Sequence, residues 1–360
     1  MTQITRRAAL TAGAATLALP AIGRAQSAAQ IAAGKKDGKL NVIALPPDWA
    51  NYGEIIDTFE KKYGIKVTSA SPDDSSAQEL QAIRSLKGQT RGPDTVDVGP
   101  AFAISGAKEG LYQPYKVATW ATIPDSMKEA SGLWYGDYFG IITFGVNRSV
   151  VKNAPKNWAD LMKPEYKGMV SLNGSPTGAA AAFSGVYAAA LGNGGSLDNI
   201  QPGIDYFGKL AAAGNFNPAA ATPASLQSGE TPIVLNWDYL NLAQAQKSVG
   251  KVTIDTVVPE GSQPLGAFYC QAISKYAPNL AAAKLWMEFL YSDQGQLLFL
   301  KGFAHPARFA DLAKRNAIPA DLAKTLPPAA PYAAAAFPTA EQQDKAKNVL
   351  AANWAKVVKS

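Results

Sequence analysis

Groups able to do covalent chemistry are scarce in this chain. Its one histidine, His305, stands in Gly302-Phe303-Ala304-His305-Pro306-Ala307-Arg308, far from any serine or cysteine in a nucleophile-elbow or papain-like pattern. No acyl-transfer triad can be written without it. Zinc spacings of the HExxH or CxxC kind are absent, and so is a GxxxxGK[ST] phosphate loop. The adjacent acids Asp73 and Asp74 lie in a Ser/Pro-rich stretch, where such residues are commonly solvated turn formers. Two acids distant in sequence can still meet in space as a glycosidase pair, so a hydrolase stands as the alternative from another class. The expectation is a protein with no catalytic residue, metal or cofactor.

Residues suited to binding are better represented. In open α/β sheets ligands sit beyond the carboxyl ends of strands, so residues following each apolar run are the candidates. They are Asp48-Trp49 after the first run, Asp73 and Ser75 after the second, and Ala101 and Phe102 after the third. Farther on, Gly174-Ser175-Pro176-Thr177 precedes a helical segment, where free amides and the hydroxyls of Ser175 and Thr177 can hold an anion or simply cap the helix. Trp237-Asp238-Tyr239 follows another extended run and offers an indole beside a carboxylate, a pairing that suits an ammonium group. Phe268 and Tyr269 complete the set.

The elements that must position these residues alternate. Extended segments are expected at 40–45, 65–69, 95–98, 139–147, 168–173, 232–236, 252–258 and 267–273. Helices are expected at 54–63, 77–86, 177–191 and 239–248, with a mostly helical stretch from 279 onward. Strand–helix alternation implies parallel strands with helical crossovers. With 360 residues the chain exceeds a usual single domain, and two compact units follow. The chain would cross between them within extended segments, best at 139–146 and 266–273.

Residues 1–25 read as a cleavable secretory signal: Thr5-Arg6-Arg7, an Ala-rich apolar stretch, then Gly23-Arg24-Ala25. The paired arginines resemble a twin-arginine signal. Three of the cations behind the formal charge of +6 lie in that segment, so the rest is mildly basic and nucleic-acid binding gains no support. With one cysteine, Cys270, no intramolecular disulfide can form, and a large core must hold the fold.

Three strings carry a family resemblance: Lys39-Leu40-Asn41-Val42; Phe59-Glu60-Lys61-Lys62-Tyr63-Gly64-Ile65-Lys66-Val67; and Ala282-Ala283-Lys284-Leu285-Trp286-Met287-Glu288-Phe289-Leu290-Tyr291-Ser292-Asp293-Gln294-Gly295-Gln296. They resemble the periplasmic solute-binding proteins of ABC importers, in the group of the spermidine/putrescine- and ferric-iron-binding proteins, with relatives that bind opines, aminoethylphosphonate, thiamine or γ-aminobutyrate. The resemblance implies a type II two-lobed α/β fold, each lobe a central mostly parallel sheet flanked by helices, joined by two hinge strands. Lobe 1 would comprise 26–142 and 267–360, and lobe 2 would comprise 143–266. It further implies a monomer that closes on a small-molecule solute and delivers it to the transmembrane subunits of an importer; docking to a sensor receptor is a further option of the same surface. Ferric-iron relatives use neighbouring tyrosines near the strand end that here reads Asn236-Trp237-Asp238-Tyr239, and only Tyr239 matches. Trp49 and Trp237-Asp238 look like the indole and Trp/acid elements of the polyamine binders. An ammonium at Asp238 and an anion at Ser175 and Thr177 would make the ligand a small zwitterion.

Overall fold

The computed structural model describes residues 27–359; the signal reading of 1–25 lies outside the described residues. In chain order the elements are α1 (Ala28–Asp37), β1 (Lys39–Ile43), α2 (Tyr52–Tyr63), β2 (Lys66–Ala70), α3 (Ser76–Ser85), β3 (Thr95–Val98), α4 (Pro100–Lys108), β4 (Tyr112–Gln113) and β5 (Tyr135–Asn147). There follow β6 (Val170–Leu172), α5 (Ala180–Leu191), α6 (Gln201–Ala212), α7 (Pro223–Ser228), β7 (Ile233–Trp237), α8 (Asp238–Lys247), β8 (Ile254–Val257) and β9 (Gly266–Ser274). The chain ends with α9 (Leu280–Leu290), α10 (Asp293–Lys301), β10 (His305–Pro306), α11 (Phe309–Lys314), α12 (Ala320–Ala323), α13 (Ala329–Ala334) and α14 (Ala340–Val357).

Local chemistry sets the boundaries. In α2 the apolar residues Ile55, Phe59 and Tyr63 recur every four positions and are all buried. Gly64 ends the helix at φ +67°, a conformation a side chain disfavours, and its N–H returns to the Glu60 carbonyl at 2.8 Å. The buried face of α2 packs on α9 through Phe59, Trp286 and Phe289, with ring centroids 5.1 and 5.6 Å apart from Phe59. Burial of each such ring contributes about 1.5–3 kcal/mol.

β5 joins the two lobes. Over its first half, up to Ile141, it pairs with β9; from Ile142 to Asn147 it pairs with β7 and β8. β9 continues beside β3 and β4, so β5 and β9 run side by side across the junction. Parallel ladders occur within the lobes, β1 with β2 and β6 with β7, whereas every pairing that involves the long strands β5 and β9 is antiparallel. The mix has a topological cause, because a strand that returns the chain to the first lobe runs against the one that left it. α14 lies across both lobes. Asp344 pairs with Lys108 of α4 at 2.7 Å, while Trp354 packs on Phe207 of α6 at 5.5 Å.

Candidate functional site

Between the lobes lies a cavity of about 690 Å³, within the range of small-molecule sites. The loops after β1 and β2 supply Asp48, Trp49, Asp73, Asp74 and Ser75, α3 supplies Glu79 and β3 supplies Asp97 from one side. The opposite wall comprises Asn173, Ser175 and Gly178–Ala181 at the start of α5, Thr222, Asn236 at the end of β7, and Asn241, Gln244 and Lys247 on α8. The walls touch at the mouth, where Ala77 N donates to the Gly178 carbonyl at 3.2 Å and Lys247 pairs with Asp48. A Cβ added at Gly99 would fall 2.4 Å from that of Ala180, so the starts of α4 and α5 meet closely.

An aromatic cluster forms the floor. Trp49 Nε1 donates to the Tyr138 hydroxyl at 2.7 Å, and the indole meets Tyr269 edge-on at 5.4 Å. Tyr138 in turn stacks on Tyr269 at 5.6 Å. Below Trp49 the Tyr138 hydroxyl donates to Asp97 Oδ2 at 2.7 Å, and Tyr52 reaches the same oxygen at 3.0 Å. Asp97 Oδ1 is buried and forms no hydrogen bond. Glu79, 1 % exposed, accepts the Asp97 N–H at 2.9 Å. Burial raises the pKa of both carboxyls, and for Glu79 the nearby Asp97 adds to the shift. Among the described residues neither acid has an ion-pair partner; the one basic residue lining the cavity, Lys247, is engaged at the mouth. Two buried carboxyls without a cation are costly unless something positive or a proton joins them.

The wall opposite is uncharged apart from Lys247. The first amides of α5 have no helical carbonyl to bond, and Ala180 and Ala181 line the cavity there. Their dipoles favour negative charge. Asn173 donates to Asn236 Oδ1 at 3.2 Å, which aligns the two amides along the wall.

Of the residues expected from sequence, Trp49, Asp73, Ser75, Ser175 and Tyr269 line this cavity. The Ser75 hydroxyl is engaged by Gln78 at 2.8 Å, and Ser175 bonds Thr177 at 3.0 Å. Thr177 is not among the lining residues. Ala101 and Phe102 are buried in α4, with Lys347 over the Phe102 ring at 4.3 Å. Trp237, Asp238 and Tyr239 are each at most 2 % exposed and lie beneath the lining. Both Asp238 oxygens are engaged within the fold: Oδ1 accepts the Ile141 N–H at 2.8 Å, and Oδ2 accepts the Tyr332 hydroxyl. Gly140 leaves room for this, since a Cβ there would lie 2.4 Å from Oδ1. Burial raises the Asp238 carboxyl to about 6. Phe268 faces a second cavity of about 1010 Å³ behind β5 and β9, lined also by Phe139, His305 and Tyr332.

Asp97, Glu79, Asn173 and Asn241 were not singled out from sequence. Signals for the acids exist. Asp97 is the one charge in the apolar strand Thr95-Val96-Asp97-Val98, and Glu79 shares the helical stripe of Ser76, Leu80 and Ile83, all of them buried. Among the described residues no group of three or more His, Cys, Asp or Glu side chains could hold a metal, and no helix is long and apolar enough to cross a membrane.

Comparison with known proteins matches residues 97–347 to the family model of the bacterial extracellular solute-binding proteins. A Salmonella typhimurium protein named as a 2-aminoethylphosphonate-binding periplasmic protein is 28 % identical over 244 residues, 67 % of this chain and 68 % of that one. The periplasmic binding protein AfuA of Actinobacillus pleuropneumoniae, solved with exogenous fructose-6-phosphate, superposes with a TM-score of 0.70 at 19 % identity, covering 89 % of this chain and 98 % of that one. Iron-bound HitA of Pseudomonas aeruginosa gives 0.66 at 20 % identity, over 87 % and 97 %. The two structures share the two-lobed fold.

Proposed function

The chain belongs to the bacterial extracellular solute-binding protein family, and on that premise we propose that it is the periplasmic receptor of an ABC importer for a small solute carrying both an ammonium and an anionic group. The observation that carries this reading is the pair Asp97 and Glu79: two buried carboxyls on one wall of the cavity with no cation of their own. An ammonium between that wall and Trp49 would gain a charge-assisted hydrogen bond and a cation–π contact. The anionic end would lie against the first turn of α5 near Ser175. The name of the Salmonella relative supports this polarity, because 2-aminoethylphosphonate has an amine at one end and an anion at the other. γ-Aminobutyrate and opines share it, whereas a polyamine lacks the anion. The division into lobe 1 (26–142 and 267–360) and lobe 2 (143–266), the monomeric state and delivery to transmembrane subunits belong to the same proposal.

Isothermal titration of ligand-free protein with γ-aminobutyrate, 2-aminoethylphosphonate, putrescine, fructose-6-phosphate and ferric ion tests it. Saturable binding of an amine is expected, with Asp97→Asn weakening it by about 30- to 5000-fold, the effect of truncating a buried charged pair. Binding of the sugar phosphate or iron alone, or turnover of the ligand, would overturn the reading.

A further inference from the structure

Beneath the floor of the cleft, Asp97 belongs to a hydrogen-bonded cluster that is short of hydrogens. Tyr52 Oη stands 3.0 Å from Asp97 Oδ2 and 3.1 Å from Asp137 Oδ2. It also accepts one N–H of Gln271 at 2.9 Å, and the other N–H of that amide reaches Asp137 Oδ2 at 3.2 Å. Tyr138 gives its only hydrogen to Asp97 Oδ2. A phenol carries one hydrogen, so Tyr52 can donate to one carboxyl and not to both. With Asp97 and Asp137 both ionised, one of the two contacts would set oxygen against oxygen with nothing between. A single acid proton on the pair supplies the missing hydrogen. Two further acceptors, Asp97 Oδ1 and Gln271 Oε1, are buried with no donor.

The surroundings favour that proton. The titratable groups facing Asp97 are Tyr52 from α2, Glu79 from α3, Asp137 and Tyr138 from β5, Tyr239 from α8, Tyr269 and Cys270 from β9, and Tyr291 at the end of α9. None is a cation. Burial followed by the charge of Asp97 raises the Asp137 pKa, and burial raises that of Asp97.

We propose that ligand capture is an exchange in which the ammonium group of the solute replaces a proton held by the Asp97–Tyr52–Asp137 cluster. This rests on the amine-binding reading above and adds a role for two residues that do not line the cleft. The O–H bond of the shared acid breaks, its electron pair stays on the carboxylate, and the proton passes to solvent; Tyr52 then gives its one hydrogen to Asp137, and Asp97 takes its hydrogen from the ammonium. The site thus exchanges one positive charge for another, and a neutral isostere of the ligand would leave the proton in place. Tyr52 and Asp137 act here as positioning residues that set the charge the site demands.

The test is titration with γ-aminobutyrate, neither of whose groups titrates between pH 6 and 8, in PIPES and in MOPS, which differ in ionisation enthalpy. Putrescine is the second probe. Binding heat that depends on buffer, with release approaching one proton, and affinity that rises as much as tenfold per pH unit are expected. Asp137→Asn should still bind but lose most of the buffer dependence; Tyr52→Phe gives the same readout where that variant does not fold. If neither amine binds, the underlying reading fails and the exchange with it. If an amine binds and Asp97→Asn weakens it, but the heat is the same in both buffers, the exchange alone is overturned.

Discussion

Asp97 and Asp238 hold similar places in the two lobes. Each lies at or near the carboxyl end of a strand under the cleft, each is almost fully buried, and burial raises the pKa of each. Their partners differ. Asp238 has a partner at each oxygen, the Ile141 amide and the Tyr332 hydroxyl, where β5 changes its pairing from β9 to β7. Asp97 lines the cavity and keeps one buried oxygen without a partner. A satisfied buried carboxyl fixes structure, and an unsatisfied one leaves a demand that a ligand can meet. The sequence motif most suggestive of an ammonium site, Trp237-Asp238, therefore reads in the structure as a hinge tie.

The contrast can be broken by exchanging the defects. Asp97→Asn should weaken amine binding by the same factor while raising the melting temperature of the ligand-free protein, since a neutral amide replaces one of three buried carboxyls that have no cation beside them. Asp238→Ala should do the reverse. It strands the Ile141 N–H and the Tyr332 hydroxyl, for a loss of about 1–3 kcal/mol in denaturant melts, with affinity changed by less than about threefold. If Asp238→Ala abolishes binding in a folded protein, the contrast is wrong.

A smaller effect concerns pH. The folded-state pKa values of Glu79, Asp97, Asp137 and Asp238 are raised, so above pH 4 the native state holds more protons than the unfolded chain, and stability falls as pH rises through this range. For Asp238 the loss runs through about pH 6. Asp94 adds to the raised acids, whereas His305, lowered to about 4 by burial, acts with the opposite sign between pH 4 and 6.5; Glu54, Glu129, Asp160, Asp293 and Asp311, whose pKa values are lowered, share its sign but are largely ionised in both states by pH 5.5. Ligand-free protein should therefore melt lower at pH 7.5 than at pH 5.5, and a saturating amine should narrow the difference. Equal melting temperatures would mean that the acids have partners in solution.

The smallest effect belongs to the mouth. Lys247 and Asp48 are about half exposed, and such pairs contribute about 0.2–1 kcal/mol. Lys247→Ala should cost no more than about fivefold in affinity, chiefly through faster release in stopped-flow measurements. A larger loss would place Lys247 on the ligand rather than on Asp48.

Much of the architecture was legible in the chain. The stripe Ile55, Phe59 and Tyr63 specified α2, the run at 95–98 specified β3, and the apolar crossings near 139–146 and 266–273 lie within β5 and β9, because periodicity and turn residues are local properties. The antiparallel ladders of β5 and β9 were not legible, since direction depends on which lobe the chain returns to. Trp49 and Tyr269 could be chosen because a residue following a strand, or on a crossing strand, is near the cleft whatever its neighbours. The roles of Asp97 and Asp238 could not. Both are acids at strand ends, and only the approach of distant groups, Tyr332 to one and Tyr52, Tyr138 and Glu79 to the other, decided which kept a free oxygen. Periodicity sets where a side chain points, whereas its hydrogen-bond partners come from residues far along the chain, and that supply exists only once the lobes have folded.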